Sequence, residues 1–122
     1  MNVQGITWHA ITLEDEKFDA FKKLATDVMG LSTMMEMEGV SVFSMPNGSL
    51  LELYTPETVP PFSYNGSVAF GFRVDDIEEA SQQLEAAGCT LLGEINRVPE
   101  MGYAYRHFKG PDGVVYGLNE QK

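Results

Sequence analysis

From Gly5 to Leu13 the chain reads GITWHAITL, a run of β-branched, aromatic and apolar residues that predicts a strand. Glu14 and Asp15 end the run and are placed to cap the next element. The spacing then changes. Between Glu16 and Met29, Phe18, Phe21, Ala25 and Val28 recur at helical intervals, which predicts a helix with one buried stripe. Gly30 stops it. Leu31–Met37 and Val40–Met45 read as two strands around Glu38-Gly39. Pro46-Asn47-Gly48 then turns the chain into a further strand, Ser49–Tyr54. The order is β-α-β-β-β.

Residues 55–66, TPETVPPFSYNG, break the pattern with three of the six prolines. This is a connector, too short and too apolar to be a long flexible linker. The order then returns. Ser67–Val74 is a strand and Asp75-Asp76 an acidic cap. Ile77, Ala80, Leu84 and Ala87 space a helix that Gly88 ends. Thr90–Val98 is a strand, Pro99–Gly102 a turn, and Tyr103–Lys109 pairs with Val114–Asn119.

The chain is therefore one unit written twice, over residues 1–54 and 67–122, and the repeat says more than any single motif. Pro46, Gly48 and Leu53 align with Pro111, Gly113 and Leu118. Trp8-His9-Ala10 aligns with Ala69-Phe70-Gly71. Glu52, the one acid in its strand, aligns with Gly117, so the copies differ at a position that could carry chemistry. Each copy is a small sheet with a helix on one face. Its bare face needs burial against the other copy or against a second chain, so a homodimer is expected.

Composition narrows the partners. The chain has 122 residues and is 43% hydrophobic, enough for one domain with one core or two very small halves. The net charge of −10, spread over both halves, works against nucleic acid and anionic membrane and favours a cationic ligand. A single cysteine, Cys89, allows no internal disulfide and reads as a small core residue. No signal peptide or membrane-length apolar run is visible, so a cytoplasmic location is expected. There is no Gly-rich phosphate loop and no Ser-His-Asp or Cys-His grouping.

The paired βαβββ units, the acidic pair after each first strand and the Pro-(Asn/Asp)-Gly hairpins resemble the vicinal oxygen chelate superfamily, the glyoxalase, bleomycin-resistance and extradiol-dioxygenase group. The resemblance covers nearly the whole chain. It implies an α+β fold in which tandem βαβββ modules form a curved mixed sheet around a cleft, with helices on the outer face, often in a homodimer. In metal-using members, the first and fourth strands of each module supply four ligands to a divalent ion. The matching positions here are His9, Glu52, Phe70 and Gly117. His9 and Glu52 suit Zn, Ni, Mn or Fe. Phe70 and Gly117 have no ligating side chain, and two protein ligands are fewer than a catalytic zinc site normally keeps. Glu120 cannot stand in for Gly117, because three residues along a strand points to the opposite face.

Strand parity extends this reading. Thr7, His9 and Ile11 share one face of the first strand, against Ile6, Trp8 and Ala10. Leu50, Glu52 and Tyr54 share a face against Leu51 and Leu53. Assigning the wholly apolar sets to the helix side sends His9 and Glu52 together into the cleft. In the second hairpin, a left-handed Gly113 bulge shifts the pairing so that His107 faces Gly117. Tyr103, Tyr105 and His107 then face the cleft, Phe108 and Tyr116 face the helix, and Arg106 is sent outward. The four methionines from Met29 to Met37 could line an adaptable pocket, with only alternate ones able to face it, but ordinary core and strand filling is the favoured reading.

Two functions are compatible with these residues. One is a binding module whose cleft holds a small organic molecule, cationic or aromatic, without a metal. His9, Glu52, Phe70, Tyr103, Tyr105 and His107 would contact the ligand around a degenerate metal site. The other is a metal-dependent lyase, isomerase or dioxygenase. There a divalent ion at His9 and Glu52 polarises substrate oxygens while Glu52 or a bound water moves the proton. Loss of two ligand positions favours the binder. A buried structural pair is the plainer alternative for His9 and Glu52, and a structural hydrogen bond for His107.

Overall fold

Both Pro-(Asn/Asp)-Gly turns close in the same way, and each sets the register of the strands around it. The computed structural model describes residues 1–58 and 68–122. In the first turn Gly48 takes φ 83°, its N–H donates to the Met45 carbonyl at 2.9 Å, and Asn47 Oδ1 accepts from the Ser49 N–H at 3.0 Å. In the second Gly113 takes φ 79°, its N–H donates to the Gly110 carbonyl at 3.0 Å, and Asp112 Oδ1 accepts from the Val114 N–H at 3.1 Å. A left-handed glycine preceded by an Asx side chain that bonds the backbone is what this turn chemistry requires.

The strands are β1 (Val3–Thr12), β2 (Ser32–Met37), β3 (Val40–Ser44), β4 (Leu50–Tyr54), β5 (Val68–Val74), β6 (Thr90–Val98), β7 (Tyr103–Lys109) and β8 (Val115–Gln121). The helices are α1 (Asp15–Lys23), which runs into one π turn at Leu24–Val28, and α2 (Ile77–Ala86). The fold is α+β, with the βαβββ order written twice. The chain divides into two compact units, Trp8–Val68 and Met1–Thr7 with Ala69–Lys122, so β1 is divided between them. The leading residues, expected to belong wholly to the first repeat, group with the second. Of the connector, Pro56–Thr58 forms a short 3-10 turn; its remainder and the expected strand start at Ser67 lie outside the described residues.

In the unit Trp8–Val68 the strand order is β2-β3-β4-β1. β1 and β4 are parallel, while β3 is antiparallel to both its neighbours. Phe18 and Ala25 pack on Phe43, Leu51 and Leu53, with Ile11, Leu13 and Phe21 around them. The helical stripe is shorter than its spacing predicts: Val28 is 76% exposed. The π turn is the reason. Its wider turn rotates later positions off the 3.6-residue phase, and Thr26 returns its hydroxyl to the Lys22 carbonyl at 3.0 Å.

In the other unit β5, β8, β7 and β6 lie in that order, with β5 and β8 parallel and the rest antiparallel. Val74, Ile77, Ala80, Ala104, Phe108 and Leu118 form its core, and Leu84 and Cys89 pack against it. Asp76 caps α2 by accepting from the Glu78 and Glu79 N–H groups at 3.1 Å each. Glu14, the matching acid before α1, makes no such side-chain bond. Among the described residues no helix is long and apolar enough to cross a membrane.

Candidate functional site

Glu52 sits in the middle of β4, and its neighbours by register decide where it points. It lies opposite Ala10 of β1 and Val42 of β3. Leu51 and Leu53, to either side, belong to the core under α1. Alternation therefore turns Glu52, Leu50 and Tyr54 to the face that α1 does not cover. Register brings Trp8 and Ala10, Val40 and Val42, and Met35 and Met37 to that same face. Alternate methionines of β2 thus do share a face with Glu52. Thr12 and Ser44 share it by the same register, so the surface is mostly apolar and Glu52 is the one charged group that β1–β4 place on it.

Those donors bind it closely. The Tyr54 hydroxyl donates to Glu52 Oε1 at 2.6 Å, and the Trp8 indole N–H donates to the same carboxyl. Glu52 is half-buried. Burial raises its pKa above the usual carboxylate value, and the bonds from Tyr54 and Trp8 pull the other way without cancelling that rise. The result is a carboxyl held toward its protonated form in a mostly apolar wall.

His9 is not part of this group. It lies opposite Leu51 and alternates with Trp8 and Ala10, so it occupies the α1 face with Ile11 and Leu13. Its Nδ1 is 3.3 Å from the Leu50 carbonyl. The expectation that His9 and Glu52 share a face is overturned. Parity holds within each strand, but the apolar Ile6-Trp8-Ala10 set of β1 faces away from the helix and not toward it. Tyr54, expected on the face of Glu52 but given no role, and Trp8, expected on the helix side, are its hydrogen-bond partners. The available signal is that Trp and Tyr each carry a polar handle on an apolar body.

In the unit built from β5–β8 the helix-free face carries the other candidates. His107 lies opposite Gly117 and Tyr105 opposite Asn119, the register that the Gly113 bulge predicts. Leu118, between Gly117 and Asn119, belongs to the α2 core, so these residues point away from α2. Tyr103 and Tyr105 have ring centroids 5.9 Å apart, and Tyr105 meets His107 edge-on at 6.4 Å. His107 is buried, and burial lowers its pKa to about 4, so the ring is neutral at pH 7. Arg73 lies beside Asn119, which accepts the Thr7 hydroxyl at 3.3 Å. No sequence motif singles out Arg73 or Asn119.

Phe70 is the second correction. It alternates with Gly71, whose partner is Gly117, and so shares a face with Phe72. Its ring lies 5.8 Å from Phe72 and 5.3 Å from Tyr116, both packed on the α2 core. The aromatic residue belongs to the helix side. Arg106 lies opposite Leu118, on the face turned away from His107, and reaches the Gly93 carbonyl. Glu120 is also on that side, where it accepts the Ile77 N–H at 3.0 Å, as its distance from Gly117 along the strand requires.

The residues present do not fit a divalent ion of the kind the resemblance implies. On the face of Glu52, β1 offers Trp8, Ala10 and Thr12. In the other unit, β5 offers Ala69 and Gly71 on the corresponding face and β8 offers Gly117. None of these six has an imidazole, thiolate or carboxylate side chain. Among the described residues, no three His, Cys, Asp or Glu side chains come together to hold a metal.

Comparison with known proteins agrees with the fold. The sequence profile described as the Glyoxalase/Bleomycin resistance protein/Dioxygenase superfamily matches residues 8–117. No curated protein matches the chain. Among solved structures, a Mn(II)-bound glyoxalase from Novosphingobium aromaticivorans is 20% identical with a TM-score of 0.74, covering 98% of this chain and 39% of its own. Methylmalonyl-CoA epimerase from Mycobacterium tuberculosis is 19% identical with a TM-score of 0.69, covering 98% and 89%. A variant of homoprotocatechuate 2,3-dioxygenase from B. fuscum is 16% identical with a TM-score of 0.72, covering 99% and 33%. The chain thus spans well under half the length of the first and third. At these identities the likeness concerns the fold.

Proposed function

Because the chain belongs to the glyoxalase, bleomycin-resistance and dioxygenase superfamily, we propose that it binds a small organic molecule on the helix-free sheet face around Glu52. One observation carries this reading: a half-buried carboxyl, hydrogen-bonded by Tyr54 and Trp8, is the one charged group of β1–β4 on a mostly apolar face. Apolar surface with a few placed polar groups is the usual make-up of a small-molecule site. The carboxyl can accept from an ammonium or, when protonated, donate to a carbonyl. Trp8 and Tyr54 supply flat surface for an aromatic ring, and Met35 and Met37 supply adaptable apolar surface. In the other unit, the Tyr103, Tyr105 and His107 strip is a second candidate surface for a flat ligand.

The net charge of −10 favours a cationic ligand over an anionic one. The protein acts as a homodimer in this reading, supported by the helix-free faces that each repeat leaves to be covered; a monomer in sedimentation at micromolar concentration would remove that part. Proton transfer at Glu52 is a second reading, favoured by its raised pKa, which suits a general acid or base. The family's metal-assisted version of that chemistry has less support, since the donor set does not fit an ion.

Trp8 is the one tryptophan of the chain, so its emission reports directly on the Glu52 face. A panel of small aryl cations and their neutral isosteres should produce a saturable change in that emission. The change should weaken for the cations in Glu52→Gln. No response to any member, with no small molecule retained in native mass spectrometry, would remove the binding reading.

A further inference from the structure

We infer that Trp8 and Tyr54 stand at Glu52 where a metal ion stands in metal-using relatives, making this carboxyl a metal-independent hydrogen-bonding anchor. The inference rests on the ligand-binding reading above but is tested apart from it. A first-strand ligand can serve a fourth-strand carboxylate only from the same sheet face. The register leaves three first-strand residues on that face near Glu52: Ala10 beside it, and Trp8 and Thr12 two positions to either side. A neutral threonine hydroxyl is not among the usual protein ligands of these ions. Alanine has no donor atom in its side chain. An indole nitrogen carries a proton, lends no lone pair to a metal, and here gives its N–H to the carboxyl. Tyr54 takes a second acceptor position at 2.6 Å.

The imidazole next to Trp8 in sequence, His9, cannot substitute. It lies on the α1 face opposite Leu51, and reaching Glu52 would require a one-residue slip of β1 against β4. Such a slip would pull Ile11 out of the core formed with Leu51 and Leu53. Trp8 is therefore a positioning residue. It holds the carboxyl in one orientation and closes the first-strand ligand position with a donor that cannot ligate.

Mn2+, Ni2+ and Zn2+ would each be titrated into chelator-stripped, tag-free protein, monitored by calorimetry and by Trp8 emission. The expected result is no saturable, Glu52-dependent binding. One-to-one binding that Glu52→Gln abolishes would overturn the inference, whatever the organic ligand proves to be. Trp8→His supplies an imidazole on the face of Glu52 and should gain Zn2+ or Ni2+ affinity by about tenfold or more over the parent. Trp8→Phe, which removes the donor and adds no ligand, should gain none. A folded Trp8→His without that gain would refute the role given to Trp8. If that variant does not fold, the titrations of the parent and of Trp8→Phe still decide. Failure of organic probes to bind, with the metal result as expected, would remove the ligand reading alone.

Discussion

His9 and Glu52 lie on opposite faces of the same pair of parallel strands. Leu51 is the register partner of His9, and Ala10 is the partner of Glu52. Since Leu51 packs beneath α1, the imidazole shares the helix side and the carboxyl has the helix-free side to itself among the charged groups of β1, β3 and β4.

The burial of Glu52 has a consequence for stability. Its folded pKa is raised, so its stabilising share is complete below the unfolded pKa and is lost as pH rises through the folded one. At neutral pH the charged form therefore carries a cost. Glu52→Gln should leave the denaturation midpoint at pH 7 unchanged or higher, while weakening any cationic ligand. A clear fall in the urea midpoint would show that the bonds from Tyr54 and Trp8 outweigh desolvation.

His107 works in the opposite sense. Its pKa falls from 6.5 to about 4 because burial disfavours the imidazolium. The unfolded chain takes up a proton first, so stability is lost as pH drops from about 6.5 toward 4. The loss is of the order of 3 kcal/mol at the bottom of that window. His107→Gln should flatten this part of the profile. Urea unfolding of both proteins at several pH values, each compared with its own pH 7 value, would isolate the histidine from the carboxylates. Parallel profiles would rule out a buried neutral ring.

Gly71 and Gly117 allow β5 and β8 to approach closely. A Cβ on Gly71 would sit 2.8 Å from the Gly117 Cα and carbonyl carbon. Backbone cannot swing aside as a flexible side chain can. Gly71→Ala should therefore destabilise by about 1–3 kcal/mol, measured by chemical denaturation. A neutral effect would mean that the strands part at little cost.

The interrupted stripe on α1 can be tested by truncation. Phe18 is 5% exposed and belongs to the core, whereas Phe21 only borders it. Phe18→Ala should cost about 3–5 kcal/mol, and Phe21→Ala distinctly less. Equal losses would restore the longer stripe that the spacing suggests. Leu84, also at the border of its core, should behave like Phe21, below the range expected of a fully buried leucine.

Much of this fold is written locally. The order of the strands and helices, both hairpin turns and the pairing of His107 with Gly117 arise from residues within a few positions of one another. The left-handed Gly113 and its Asx neighbour force the bulge whatever lies elsewhere in the chain. Alternation along β1 and β4 is legible for the same reason, because a strand turns successive side chains to opposite faces. What parity leaves open is which face meets the helix. For β1 both choices present apolar residues, Trp8 with Ala10 or Ile11 with Leu13, and only the packing of Phe18 and Ala25 on Ile11, Leu51 and Leu53 selects one. The Gly71–Gly117 approach and the Trp8–Glu52 bond likewise join residues 46 and 44 positions apart along the chain. Turn chemistry acts through the backbone of adjacent residues and can be read in sequence; the choice of a buried face is made by contacts between distant ones and exists only once the chain has folded.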